Sequence, residues 1–95
     1  MPLLTCRVEV RGNAVHLIAS GRLDGTTGKD FELAVRSVLT GLPHLLVLDL
    51  TEIEGFSTEG AAALGDAVGL ASMARVSVFV LPSRAVLRQL DSHGE

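Results

Sequence analysis

The chain has 95 residues, of which 47% are hydrophobic and only 3% aromatic, and its formal net charge at pH 7 is −3. This length suits one small domain with one core, so we predict a single domain over residues 1–95. The acidic balance argues against a nucleic-acid-binding surface, and no apolar run is long enough to span or insert into a membrane. Because a lone cysteine, Cys6, cannot form an internal disulfide, we predict a soluble cytoplasmic protein.

The first elements are predicted to form a β-hairpin. Thr5 to Val10 alternates with period two, and this pattern predicts a half-buried strand with Cys6, Val8 and Val10 on its inner face. Turn residues follow at positions 11–13, and the apolar run Ala14 to Ala19 predicts the returning strand. A glycine-rich loop then occupies positions 20–25.

The first helix is predicted after this loop. Thr26 or Thr27 can cap it, and apolar residues then recur at helical spacing, which predicts one face docked on the sheet. That face comprises Phe31, Ala34, Val35, Val38 and Leu39. Gly41 is predicted to end the helix, and Pro43 prevents its resumption.

The most informative stretch is the central one. The aliphatic run Leu45–Leu50 predicts a strand buried on both faces, as in the middle of a helix-covered sheet. We interpret Thr51–Gly55 as a polar connection, after which Ser57–Gly60 has the hydroxyl and small residues of a helix start. Thr58 is therefore predicted to be exposed at the first turn of a helix, at the rim of the sheet, where α/β folds place function.

The second helix is predicted to run from Thr58 to about residue 71. Ala61, Gly65 and Gly69 recur every four positions in it, and we interpret them as a stripe that packs closely on the sheet. The run Val76–Leu81 predicts another buried strand, and a short helix is predicted after it. The resulting order is β-β-α-β-α-β-α, which predicts an α/β fold with a mixed sheet of about four strands.

Signals for catalysis or metal binding are lacking in the sequence. His16, His44 and His93 share no metal-like spacing with one another or with Cys6. There is no P-loop, dinucleotide-binding glycine pattern or nucleophile elbow. We therefore predict that the protein is not an enzyme and has no metal or other cofactor.

Three stretches, in order and spacing, resemble the STAS domain family. They are VHLIASGRLD at 15–24, LLVLDLTEIEGFSTEGAAAL at 45–64 and VFVLPSRAVLRQLDSHG at 78–94. The second stretch is similar to the central signature of the family, in which an aliphatic strand and Asp-Leu-Ser are followed by Asp-Ser-Ser-Gly at a helix start. Each motif is degenerate, and their order carries the resemblance.

The resemblance implies a function of the anti-sigma factor antagonist type. In such bacterial proteins, the first Ser of Asp-Ser-Ser-Gly is phosphorylated by a partner that is both an anti-sigma factor and a kinase of the histidine-kinase-like ATPase type. The unmodified antagonist binds this partner and thereby releases the sigma factor for transcription. The implied binding module is therefore controlled by phosphorylation.

Carried over by position, the resemblance makes Thr58 the phosphoacceptor. The implied partner-binding residues are Asp24, Asp49, Ser57, Thr58, Glu59 and Gly60. Ser57 stands where the family has Asp, so it is an alternative acceptor, and Glu59 stands where the family has Ser. From the residues alone, Asp24 and Asp49 are equally well explained as side chains that satisfy nearby backbone donors.

Two other functions stay open at this stage. A short STAS protein is also found as the accessory subunit of bacterial lipid-trafficking ABC transporters, where it binds the ATPase through the same helix start. A stressosome-type scaffold component is a third alternative. The identity of the sigma factor, the oligomeric state and the nature of the chain end at Glu95 do not follow from the sequence.

Overall fold

The structure, a computed structural model, describes residues 3–93, and of residues 92 and 93 it describes only the backbone. Its elements are β1 (Leu4–Arg11), β2 (Ala14–Leu23), α1 (Gly28–Leu39), β3 (Leu45–Phe56), α2 (Thr58–Met73), β4 (Ser77–Leu81) and α3 (Arg84–His93). The predicted element order is confirmed. Gly94, the last residue of the third STAS-like stretch, lies outside the described residues.

The four strands of the described residues form one mixed sheet in the order β1-β2-β3-β4. β1 pairs antiparallel with β2 through a hairpin, whereas β3 runs parallel to both β2 and β4. A parallel neighbour on each side of β3 requires two crossover connections, which α1 and α2 provide. The prediction that Leu45–Leu50 belongs to an inner strand is thus confirmed.

One face of the sheet packs against the three helices to form the core. β2 contributes Leu17 and Ala19, β3 contributes Leu46, Leu48 and Leu50, and all five are buried. The helices meet them with Phe31, Val35 and Leu39 from α1, Leu64, Ala67 and Ala71 from α2, and Val86 from α3. The apolar face predicted for the first helix is therefore confirmed.

The opposite face of the sheet carries the alternate residues of the same strands. Ile18 and Val47 point there, and although they are buried, they are not part of the cluster that the first face forms with the helices. Asp49 pairs in register with Ile18 and lies on this second face, and Phe79 on β4 is 57% exposed there. Within residues 3–93, every helix contributes its buried side chains to the first face.

The prediction that Thr51–Gly55 is a connection was wrong, because β3 continues to Phe56. β2 also continues past Ala19 to Leu23, and its last residues pair with the extension of β3 through two register shifts. Ile53 is 2% exposed while the residues on either side of it are exposed, which is the pattern of a half-buried strand. The two glutamates in this segment conceal that pattern because they face solvent.

The inner face predicted for the first strand is only partly buried. Leu4 and Cys6 pack against the core, but Val8 and Val10 are 53% and 73% exposed. β1 is an edge strand, and the helices reach it only near its beginning. The alternation therefore predicted the correct face but not the extent of its cover.

The close-packing stripe predicted for the second helix was also wrong. A Cβ added to Gly65 or Gly69 would meet no atom within 4 Å, so these glycines face open space. The buried face of α2 consists instead of Gly60, Leu64, Ala67 and Ala71. Positions 60, 64, 67 and 71 follow the 3.6-residue period, and the predicted stripe lies one residue away from them.

Each of the two longer helices is followed, within three residues of its end, by a residue with left-handed backbone geometry. α1 ends at Leu39, and Leu42 rather than Gly41 takes a positive φ of 48°. α2 ends before Arg75, at φ 60°, and the N–H of the next residue, Val76, donates back to the Ala71 carbonyl across 2.9 Å. Within the described part of the chain, no helix has the length and apolar character needed to cross a membrane.

Candidate functional site at the start of helix α2

The predicted helix start is confirmed, and Ser57 is its capping residue. Ser57 has extended backbone geometry, and its Oγ accepts a hydrogen bond of 3.1 Å from the N–H of Gly60. Thr58 is the first residue of α2 and its side chain is exposed, as is that of Glu59. The N–H groups of Thr58 and Glu59 donate to no acceptor within residues 3–93, which leaves them available to an anion.

Gly60 is buried where α2 meets the end of β2. A Cβ at this position would lie 2.0 Å from the carbonyl oxygen of Leu23, a distance that no side chain tolerates. The same oxygen accepts a hydrogen bond of 3.2 Å from the N–H of Ser57. Leu23 thus fixes both the cap and the first turn of α2, and only glycine permits so close an approach.

The loop after Leu23 brings Asp24 beside this helix start. Its Oδ1 accepts hydrogen bonds from the N–H and the hydroxyl of Thr26, at 2.9 and 2.7 Å. The next residue, Gly25, lies against Glu59, since a Cβ on this glycine would be 3.5 Å from Glu59 Cγ. Five of the partner-binding residues implied by the sequence are therefore close together in the fold: Asp24, Ser57, Thr58, Glu59 and Gly60.

Thr27 occupies the N-cap position of α1 but does not cap it with its side chain. Its buried hydroxyl donates to the carbonyl of Arg22 across 2.8 Å and accepts from the N–H of Asp24 across 3.0 Å. The Thr26 side chain does not cap α1 either, because its hydroxyl donates a hydrogen bond to Asp24. The predicted capping by these threonines is replaced by bonds that shape the loop beside the α2 start.

The hydrogen bonds from the Thr26 hydroxyl and backbone lower the pKa of Asp24 below its ordinary value of 3.8. A smaller contribution comes from Arg22, whose Nε lies 3.7 Å from Asp24 Oδ2. Because these interactions favour the ionised carboxylate, they stabilise the folded state above the pKa that Asp24 has when unfolded. This contribution is lost as the pH falls through the lower pKa of the folded state.

We expect Asp24→Ala to reduce the stability of the protein at pH 7. The stability of the variant should then fall less than that of the wild type as the pH is lowered. The difference in urea midpoint between wild type and variant should be constant near neutral pH and shrink below about pH 4, because the carboxylate then becomes protonated. Urea melts between pH 3 and 7 provide the measurement. A difference that grows with falling pH would contradict the assigned role of Asp24.

The structure does not bring Asp49 to the α2 start. At about 3.3 Å per residue, roughly 26 Å of strand separates Asp49 from Ser57, and Asp49 lies on the sheet face opposite the helix core. Its Oδ1 accepts from the N–H and hydroxyl of Thr51, at 3.0 and 2.6 Å. Partial burial alone would raise the pKa of Asp49, but the bonds from Thr51 outweigh this effect and lower it.

One contact to Thr58 was not predicted from the sequence. Gln89 on α3 donates a hydrogen bond of 3.2 Å from Nε2 to Thr58 Oγ1. The two residues are 31 positions apart, and no periodicity or motif relates a glutamine in the last helix to a hydroxyl at the start of another. Only the packing of α3 against α2 and β3 reveals it.

The exposed groups at this site are suited to hydrogen bonding with an anion or with polar groups of another molecule. No group of three or more His, Cys, Asp or Glu side chains in the described residues is arranged to hold a metal ion. The site has an exposed hydroxyl, helix N–H groups and the carboxylates of Asp24 and Glu59, of which that of Asp24 is hydrogen-bonded within its own loop. An exposed hydroxyl at a helix N-terminus is a suitable place for a phosphoryl group.

No family model and no curated protein matches the chain. Solved structures do match it. An anti-sigma factor antagonist from Mycobacterium paratuberculosis is similar with a TM-score of 0.80 and 23% identity, over 96% of this chain and 78% of that one. A second anti-sigma factor antagonist, described as a STAS domain and from Rhodobacter sphaeroides, has a TM-score of 0.73 and 17% identity. The match covers 88% of this chain and 91% of that one.

A third similar structure is the anti-sigma factor antagonist SpoIIAA in its unphosphorylated form. It has a TM-score of 0.67 and 15% identity, over 95% of this chain and 81% of that one. Together with the strand order and helix positions, these structures show that the chain has the STAS fold, as the sequence predicted.

Proposed function

We propose that this protein is an anti-sigma factor antagonist, a binding module that is controlled by phosphorylation of Thr58. The observation that carries the proposal is the exposed Thr58 hydroxyl at the first turn of α2, in a fold shared with structures of anti-sigma factor antagonists. The partner is an anti-sigma factor that is also a serine/threonine kinase of the histidine-kinase-like ATPase type. In this role the protein is the substrate of a kinase and catalyses no reaction itself.

The local geometry supports Thr58 rather than Ser57 as the acceptor. The Ser57 side chain is half-buried, and its Oγ accepts the capping bond from Gly60. A phosphoryl group on Ser57 would disturb this cap, and loss of a cap typically costs about 1 kcal/mol. Thr58 has no capping role, and its side chain is already exposed.

A phosphoryl group on Thr58 would change the surface without disturbing the fold. It adds about −1.5 to −2 units of charge, which the positive end of the α2 dipole and the N–H groups of Thr58 and Glu59 tolerate. A partner packed against the turn in the unmodified state would then meet a charged, hydrated group. Phosphorylation is therefore expected to release the partner.

We expect a kinase of the proposed type to add one phosphoryl group to the wild type and none to Thr58→Ala. A Ser57→Asn variant is the matched control, because asparagine preserves a capping oxygen but cannot be phosphorylated. Intact-mass spectrometry after incubation with kinase and ATP is the measurement. Label on Thr58→Ala but not on Ser57→Asn would move the acceptor to Ser57. If none of the three proteins were phosphorylated and the wild type instead bound a transporter ATPase firmly, the transporter-subunit function would replace this proposal.

A further inference from the structure

A side chain of helix α3, that of Gln89, forms a hydrogen bond with the proposed phosphoacceptor. The amide of Gln89 donates to Thr58 Oγ1 across 3.2 Å, and Gln89 itself is half-buried beside α2. Since the threonine oxygen accepts this bond, the hydroxyl proton points in another direction, and a second lone pair on the oxygen is left for reaction. The contact therefore restrains the hydroxyl without blocking it.

We propose that Gln89 is a positioning residue for Thr58, which orients the hydroxyl before phosphorylation and holds the phosphate against α3 afterwards. This inference rests on the proposed phosphorylation of Thr58. In that step, Thr58 Oγ1 bonds to the γ-phosphorus of ATP, the bond between that phosphorus and the β–γ bridging oxygen breaks, and ADP leaves. The hydroxyl proton passes to a base of the kinase.

The same amide has a stronger acceptor once the phosphate is present. The ester oxygen of phosphothreonine is a poor acceptor, whereas the three terminal oxygens share the negative charge. An N–H bond to a charged oxygen is shorter and roughly twice as strong as a neutral one. A small rotation of the Gln89 side chain would bring its amide to a terminal oxygen, since it already lies 3.2 Å from Oγ1.

The start of α2 provides donors for the same phosphate from another side. The N–H groups of Thr58 and Glu59 donate to no acceptor within the described residues, and they lie at the positive end of the α2 dipole. A phosphate on Thr58 would therefore be held between the first turn of α2 and the Gln89 amide. Phosphorylation would strengthen the link between α2 and α3 as well as changing the surface charge.

The test uses proteins in which phosphothreonine is incorporated at position 58 during synthesis, so that no kinase is needed. A 31P NMR titration then measures the second pKa of the phosphate, which is near 6 when unperturbed. Because Gln89 donates to the charged form, we expect this pKa to be about half a unit lower in the protein with Gln89 than in Gln89→Ala. Gln89→Lys should restore the lower pKa, and Gln89→Glu should raise it above that of Gln89→Ala.

Leu87→Ala is the control for a general disturbance of α3. Leu87 is 50% exposed and lies about 200° around the helix from Gln89, so it should leave the phosphate pKa unchanged. The inference would be overturned if the second pKa of the phosphate were the same with Gln89, Gln89→Ala and Gln89→Glu. It would also be overturned if Leu87→Ala shifted this pKa as much as Gln89→Ala does. Failure of the kinase to label Thr58 would instead contradict the proposed function, and the titration does not depend on that result.

Discussion

Gly60→Ala should lower the free energy of unfolding by at least about 3 kcal/mol, the upper end of the usual cost of overpacking. The added Cβ would lie 2.0 Å from the carbonyl oxygen and 2.7 Å from the carbonyl carbon of Leu23. Both are backbone atoms, so a rotamer change cannot relieve the clash. Either β2 or the first turn of α2 must move, and the Ser57 N–H bond to Leu23 would be strained as well.

Gly65→Ala is the matched control, because it is the same substitution in the same helix. Its Cβ would meet nothing within 4 Å, so only helix propensity changes, and we expect a gain of about 1 kcal/mol. Urea melts of the two variants and the wild type decide the result. A Gly60→Ala midpoint equal to that of the wild type would mean that the α2 start does not lie against Leu23. A loss of stability in Gly65→Ala would mean that the buried face of α2 is assigned incorrectly.

The sequence predicted the order and type of all seven elements because their apolar residues follow clear periods. β3 begins with an uninterrupted aliphatic run, and α1 has a strongly one-sided apolar face. The extension of β3 was missed because its buried residues are sparse. Ile53 is the fully enclosed residue there, and the strand is maintained by pairing with β2, which a local pattern cannot reveal.

The amino-acid composition of α2 does not predict which face of this helix is buried. Small and apolar residues occur all around this helix, so several faces look equally suited to packing. The stripe that contains Gly65 was one of these faces, but the fold buries the face that contains Gly60 and Leu64. A substitution such as Gly65→Leu is therefore not expected to overpack the core, contrary to the interpretation of that stripe as a packing face.

The candidate site was predicted where it is local and missed where it depends on the fold. Ser57 and Thr58 take the cap and first-turn positions that their residue types favour. Asp24 joins them because β2 ends beside α2, in agreement with the motif order. Asp49 is separated from them because β3 is longer than expected, and Gln89 was missed because it comes from a distant helix.

Thr58→Glu should weaken binding of the proposed kinase partner by about 10- to 100-fold. A carboxylate at position 58 adds a second negative charge beside Glu59, whose side chain is exposed and forms no ion pair within the described residues. When a partner covers the turn, both charges lose water and their repulsion is less screened, which costs up to several kcal/mol, and 1.4 kcal/mol corresponds to tenfold in affinity. Isothermal titration of the partner with each protein provides the measurement.

Thr58→Gln is the control that separates charge from size, because glutamine has the shape of glutamate without its charge. We expect Thr58→Gln to bind within a few-fold of the wild type, and Glu59→Gln to bind more tightly than the wild type because it removes the charge that is always present. The loss caused by Thr58→Glu should also shrink as salt is raised, since exposed charges are screened. If Thr58→Glu and Thr58→Gln lost the same affinity at every salt concentration, binding would depend on the size and shape of residue 58 and not on its charge. That result would contradict control by the charge of a phosphate.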